Sequence, residues 1–361
     1  MSDSGSLPEV PQTRRGVSDS LLTAGAAVLL TTLAGAVLLW LGGYDPVAAG
    51  RAMVRGAVGS WSAFVSITLV RSVPLIFTGL AVALAFRAGV WNIGAEGQLY
   101  AGAIAAVWVG IHGAVLPAVL LVPAVMLAAA VAGAMWALIP TLMKIRLGVG
   151  EVITTILMNF VGIYLAAYMV HGPLRESRGV FPQSDPIAAS ARLPTLVPGT
   201  RLHAGFALAV VLVGIVAVVL KSTRFGFQLR AVGASPVAAS ISGRIDTGRV
   251  VLVSFLASGA IAGIAGGSEI AGVTYTLYED LSPGWGYTAI AVALLAGLSP
   301  VGVIGTGIFF GALQAGAGSM QREAGIPAAW VGVVEALVIL AVLGLERARR
   351  ARRLSAPGGS S

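Results

Sequence analysis

The chain has 361 residues, 57% hydrophobic and 11% charged, against roughly 25% charged in soluble domains. That balance excludes a soluble fold and marks an integral membrane protein. With no cysteine and three histidines, disulfides, thiolate catalysis and cysteine metal sites are excluded. Neither lysine, Lys144 or Lys221, stands in a GxxxxGK[ST] phosphate loop. The net charge of +8 fits cytoplasmic loops rich in Arg and Lys rather than nucleic-acid binding.

Residues 1–19 are polar, with Pro8, Pro11 and the pair Arg14-Arg15, and read as a disordered cytoplasmic tail; a twin-arginine export signal is the sharper alternative. The apolar run 21–41 is long enough to span, since about 20 residues suffice, and too long for the core of a cleavable signal. Residues 43–61 carry Arg51 and Arg55 on one face and read as a short interfacial helix outside the membrane. The second span, 63–86, contains Arg71 and Pro74, a proline that frees backbone groups and kinks a span. Further spans are predicted at 90–110, 115–140 and 150–170. A polar loop rich in Pro and Arg follows at 171–202, then a span at 203–220. Residues 221–249 form a polar loop with Lys221, Arg224, Arg230, Arg244 and Arg249. The last spans are 250–272, 285–298, 301–319 and 326–345. A basic cytoplasmic tail, 346–361, carries Arg347, Arg349, Arg350, Arg352 and Arg353.

The predicted fold class is an all-α polytopic membrane protein with about ten transmembrane helices filling residues 20–345. An even count puts both termini on one side, and the positive-inside rule makes that side the cytoplasm. The loop 171–202 resists, because Arg175, Arg178, Arg192 and Arg201 then lie outside. The 48 glycines, in runs such as Gly259-Ala-Ile-Ala-Gly-Ile-Ala-Gly-Gly, predict close helix–helix packing.

Polar groups stand out against this background. Residues 86–103 place Asn92, Glu96 and Gln98 among Gly89, Gly94 and Gly97. Such groups inside a bilayer are buried in protein or face a water-filled path. With Arg87 at the cytoplasmic interface, Glu96 lies nine residues deeper, about 13 Å at about 1.5 Å per residue. That is near the midplane of a hydrocarbon core of about 30 Å. Asn159, eight residues beyond Glu151, reaches a similar depth, and Glu335 lies near the centre of the tenth span. The competing reading is a polar group satisfied by a neighbouring helix. Glu151 reads as a helix-start residue. Trp91, Trp285 and Tyr287 either stack a flat solute ring or form an interfacial belt.

In the loop 221–249, Ser235 before Pro236 is a helix start and Gly243 a stop. The helix between them has about two turns, too short to stand alone, and suits contact with a separate motor subunit. An ordinary capped surface helix is the bland alternative.

The stretch Phe-Arg-Ala-Gly-Val-Trp-Asn-Ile-Gly-Ala-Glu-Gly-Gln at 86–98 resembles the signature of ABC-type importer membrane permeases. The group is the branched-chain amino acid/ribose permease family, nucleoside and simple-sugar branch. The stretches at 74–81, 150–159 and 286–295 agree. The cytoplasmic loop resembles the family's coupling motif through Gly226, Arg230, Ala231, Gly233, Pro236, Ala238, Ala239 and Gly243. Ser235, where asparagine is expected, and Arg244, which interrupts a Gly-Ile pair, depart from it.

The resemblance implies a permease, not an enzyme, working by alternating access, with nucleosides as the leading solute class and ribose-like sugars as the alternative. It implies cytoplasmic ATPase subunits that bind ATP and Mg, so no cofactor in this chain. A second permease chain, as homodimer or heterodimer, and an extracytoplasmic substrate-binding protein would complete the assembly. The expected path residues are Asn92, Glu96, Gln98, Asn159 and Trp91. Gly226, Arg230, Gly233, Pro236, Ala239 and Gly243 would couple to the ATPase. One rival is a proton-coupled secondary transporter using Glu96 or Glu335. The other, a membrane-embedded enzyme, has no paired carboxylates or Ser/His constellation to support it.

Overall fold

Local signals start and stop the helices. In the computed structural model, residues 32–241 and 243–327 are described, with Leu29 and isolated positions between 329 and 344. The expected tails at 1–19 and 346–361, the start of the first span, Ser242, Glu335 and much of the tenth span lie outside the described residues.

Helix α1 covers Thr32–Leu41. Helix α2, Pro46–Val58, is opened by Asp45, whose side chain accepts from the Val47 N–H at 2.8 Å, with proline in the first turn. Helix α3, Trp61–Arg87, is opened by Ser60, which accepts from the Ala63 N–H, and contains a π-helical turn at Phe64–Thr68. Then come α4, Ala95–His112, α5, Ala118–Leu147, and α6, Glu151–His171. Gly148 ends α5 in the left-handed conformation, φ 67°, where glycine has no Cβ penalty. Helix α7 is Gly205–Ser222. In the loop 221–249 lie α8, Arg224–Ala234, and α9, Pro236–Ile241. Helix α10, Thr247–Thr274, finishes in a second π-helical turn at Ile270–Thr274. Helices α11, Trp285–Leu295, and α12, Pro300–Ala324, complete the set.

Six of these helices, α3, α5, α6, α7, α10 and α12, are long and apolar enough to cross a membrane. No strand occurs among the described residues, only isolated bridges pairing Gln183 with Tyr278 and Thr195 with His203. Burial sorts the long helices: 83% of the apolar window of α3 is inside the protein, against 22% for α5 and 28% for α6. Helix α3 is therefore central, while α5 and α6 present broad apolar faces outward. Helix α4 packs against α5, α6 and α10, and α12 packs along α2 and α3.

The expected close approach of small residues is present. A Cβ on Gly102 or Gly133 would overlap the backbone of α10 at Gly263 or Gly259, and one on Gly266 would overlap the Leu99 carbonyl. Three helices, α4, α5 and α10, thus meet main chain to main chain with α10 between the other two, the geometry small residues permit in membranes.

Candidate functional site

Between α3 and α4 the chain leaves the helix. Arg87 ends α3 with its Nε donating to the Leu298 carbonyl at 2.7 Å. Gly89 then turns with φ 75°. Gly94 precedes α4 without a side-chain cap, so donors of the first turn need outside partners. Asn159 on α6 supplies one: its Oδ1 accepts from the Gly97 N–H, and its Nδ2 donates to the Ile93 carbonyl, both at 2.8 Å. An amide from another helix thus caps α4 and ties down the loop before it.

Asn92 does similar work from within the loop. Its Nδ2 donates to Gln98 Oε1 at 2.9 Å and to Ser258 Oγ at 2.8 Å. Its Oδ1 accepts from the Gly94 N–H at 2.9 Å and from Gln98 Nε2 at 3.1 Å. Ser258 passes its own proton to the Ala81 carbonyl at 2.6 Å, so the network joins α3, α4 and α10. Glu96 Oε2 accepts from the Gly286 N–H at the start of α11, at 2.6 Å, and its carboxylate also takes the Ser282 hydroxyl. Asn92 and Asn159 are fully buried and Glu96 and Gln98 are 1% exposed. Asn92 and Gln98 thus bond each other, Asn159 bonds the main chain on either side of Gly94, and Glu96 is bonded instead to the start of α11.

The separation of Glu96 from Arg87 is close to the expected one for a different reason. A helical rise from Arg87 does not apply, because residues 89–94 are not helical. Helix α11 provides the ruler instead. Leu298 bonds Arg87 and Gly286 bonds Glu96, and the helical residues between them rise about 1.5 Å each, roughly 15 Å in all. Thr78, nine residues before Arg87 on α3, agrees: its hydroxyl lies 3.4 Å from the Trp285 carbonyl.

The aromatic residues divide. Trp91 is 50% exposed and packs on Phe86, ring centroids 4.6 Å apart. Its N–H donates to Glu151 Oε1 at 3.3 Å, and Glu151 also pairs with Lys144 Nζ at 2.6 Å. Glu151 therefore ties the loop to α5 as well as opening α6. Tyr287 is partly exposed and bonds Asn159. Trp285 is no interfacial belt residue: it is buried, with Nε1 donating to Gln314 Oε1 at 3.2 Å. Sequence reasoning missed Ser258 and Gly286. Ser258 borders the glycine run of α10, as Ser268 does at its other end, and a hydroxyl against that run was the available signal.

In the loop 221–249, Ser235 Oγ accepts from the Ala238 N–H at 3.2 Å, Pro236 opens α9, and Gly243 turns with φ 65°. Ala239 is buried, whereas Val237 and Ile241, one turn apart, are 68% and 79% exposed. The loop also holds α8, not anticipated from the sequence, where Thr223 caps the Gly226 N–H at 3.1 Å and the Arg230 guanidinium donates to the Leu220 carbonyl. Gly226 lies against the backbone of Val219 and Leu220. Gly233, near the end of α8, meets the discontinuity: a Cβ there would overlap the Arg87 carbonyl, and one on Gly89 would stand 3.2 Å from Gly233 Cα. Separately, an apolar groove lined by Ile104, Trp108, Trp136, Ile139, Leu165 and Met169 opens between α4, α5 and α6.

Comparison with known proteins places these features in a family. The description "branched-chain amino acid transport system / permease component" matches residues 64–343. A glucose ABC transporter permease protein of Haloferax volcanii is 41% identical over 335 residues, covering 90% of this chain and 87% of that protein. A guanosine ABC transporter permease protein of Bacillus subtilis is 37% identical over 331 residues, 89% of this chain and 92% of the relative. A nucleoside ABC transporter permease protein of Lactococcus lactis is 32% identical over 324 residues, 87% and 88% respectively. No solved structure matches.

Proposed function

The chain belongs to the branched-chain amino acid transport permease family of ABC importers, a multi-pass cell-membrane subunit, and from that premise we propose that it forms the path for nucleosides. The observation that carries the solute class is the likeness to guanosine and nucleoside permeases across at least 87% of this chain. A simple sugar is the second reading, favoured by the 41% identity with a glucose permease. Family membership sets aside the proton-coupled rival.

The proposed assembly holds this permease, a second permease chain, two cytoplasmic ATPases that bind ATP and Mg, and an extracytoplasmic binding protein. About ten spans with both termini cytoplasmic remain our reading. Six long apolar helices support it, together with α4, the short apolar helices α1 and α11, and helical positions beyond residue 329. The exposed Val237 and Ile241 on α9 offer the motor an apolar foothold. Motion there reaches the discontinuity through α8, because Gly233 bears on Arg87 and Gly89.

Asn92, Glu96, Gln98 and Asn159 then have two roles. In the conformation described they hold the broken start of α4. During transport, exchange of those internal hydrogen bonds for bonds to a neutral polar solute would give loose, reversible contacts along the path, with Trp91 and Tyr287 offering ring faces. The coupling role rests on Gly226, Arg230, Gly233, Pro236, Ala239 and Gly243. Reconstitution of the assembly in vesicles tests the reading. ATP-driven uptake of guanosine is expected. Replacing residues 235–243 by a flexible linker should abolish uptake while the chain stays inserted, and normal uptake by that variant would overturn the coupling assignment.

A further inference from the structure

A second polar constellation lies at the opposite end of the bundle from α9. The two π-helical turns meet there. Val65 in the turn of α3 packs with Val70, Leu202 and Val273, the last from the turn of α10. The Arg201 N–H donates to Ser66 Oγ at 3.4 Å, laying the outer loop across the first turn. π-Turns recur at functional sites because the widened helix re-aims the side chains beside it.

Polar atoms without protein partners gather here. Glu269, the residue before the α10 π-turn, is only 7% exposed. Among the described residues its carboxyl makes no hydrogen bond and no ion pair. Ser268 Oγ and His203 Nε2 are buried with no hydrogen-bond partner, the His203 ring lying against Gly205 and Gly272. On the facing helix, residues 72–85 of α3 are buried while Arg71 is exposed. Arg71 and Arg201 are in electrostatic reach of Glu269, as is Tyr278, and Arg322 is in reach of Arg71. Arg71 too makes no hydrogen bond or ion pair among the described residues. The Glu269 carboxyl, in a residue only 7% exposed, and the exposed Arg71 guanidinium thus both keep their hydrogen-bonding capacity free for a ligand that reaches the two together.

We propose that Glu269 and Arg71 form a recognition site for adjacent hydroxyl groups of a neutral solute. A carboxylate accepts two hydrogen bonds side by side, which matches the two O–H donors of a vicinal diol. The planar guanidinium donates to the hydroxyl or ring oxygens. The site rests on the proposed transport of a nucleoside or simple sugar, and the diol is the chemistry those two solute classes share. It also gives the path a specificity element that the saturated Asn92–Gln98 network lacks.

The experiment uses the complete reconstituted importer with its binding protein saturated, so that discrimination by that protein drops out of the maximal rate. ATP-driven uptake of a nucleoside is compared with uptake of its 2′,3′-dideoxy analogue. The wild type should favour the diol by about 10-fold, since an analogue leaves the site's polar groups unpaired. Glu269→Gln should bring the two rates within about 2-fold of each other. Arg71→Lys, on an exposed side chain, should lower the preference as well, and it keeps the test open if the glutamine variant fails to insert. An unchanged preference in the inserted variants, or none in the wild type, overturns the site. If the wild type takes up neither nucleoside nor sugar, the proposed function itself fails.

Discussion

Asn159→Ala tests the central claim that one amide holds the broken start of α4. The substitution leaves the Gly97 N–H and the Ile93 carbonyl, each bonded at 2.8 Å, without partners at a fully buried position. A buried group left unpaired costs about 1–3 kcal/mol; the Gly97 N–H is buried and the Ile93 carbonyl part-buried, so the two together cost about 2 kcal/mol or more. That is a large share of a typical total of about 5–15 kcal/mol. Hydrogen bonds between membrane helices average only about 0.6 kcal/mol when each partner finds another. Here both partners are main-chain groups fixed in place, and relief requires the loop itself to move. Unfolding in detergent micelles should therefore show a loss of about 2 kcal/mol or more, with faster hydrogen exchange at Gly97. A loss below about 1 kcal/mol with Gly97 protection intact would refute the reasoning.

Gly286→Ala should lower the melting temperature, because its Cβ would overlap the backbone of Glu96 and overpacking costs about 1–3 kcal/mol. Gly305→Ala on α12, with nothing within 4 Å of the added carbon, should instead stabilise slightly through helix propensity; equal melting temperatures for the two would count against the packing argument. The loop 171–202 should loosen in acid. Glu176 is held below its ordinary value of 4.5 by hydrogen bonds from Gln183 and the Phe181 and Val180 N–H groups, and Asp185 below 3.8 by bonds from Ser177. Carboxyls depressed in the folded state stabilise it above those values, and the contribution is lost as pH falls through the lower folded ones. Protection across residues 171–202, measured as exchange relative to the intrinsic rate at each pH, should therefore fall below about pH 4 relative to pH 7, and equal protection at about pH 3 and pH 7 would contradict it.

Much of the bundle is readable in the sequence because bilayer spans are long and apolar, as in α5, α6 and α10. The polar residues of α4 were visible for the converse reason, their cost in lipid. What could not be read is which partner each one has. That Asn159 caps Gly97 and Asn92 reaches Ser258 depends on helix packing, which no local pattern encodes. Helix α8 escaped notice because Gly226 and Gly233 depress its propensity, and those glycines are needed for close backbone contact. The π-turns have no sequence signature here. The separation of Glu96 from Arg87 was reached with a helical ruler across a segment that is not helical, and α11 happens to give nearly the same figure.

Where Gly89 meets Gly233, no side chain stands between two peptide backbones. A contact between side chains absorbs small displacements by switching rotamer, and so works with slack. Peptide against peptide has no such play. A shift of a few tenths of an ångström in α8 has nowhere to dissipate before Arg87, and the joint between α8 and the end of α3 is free of backlash.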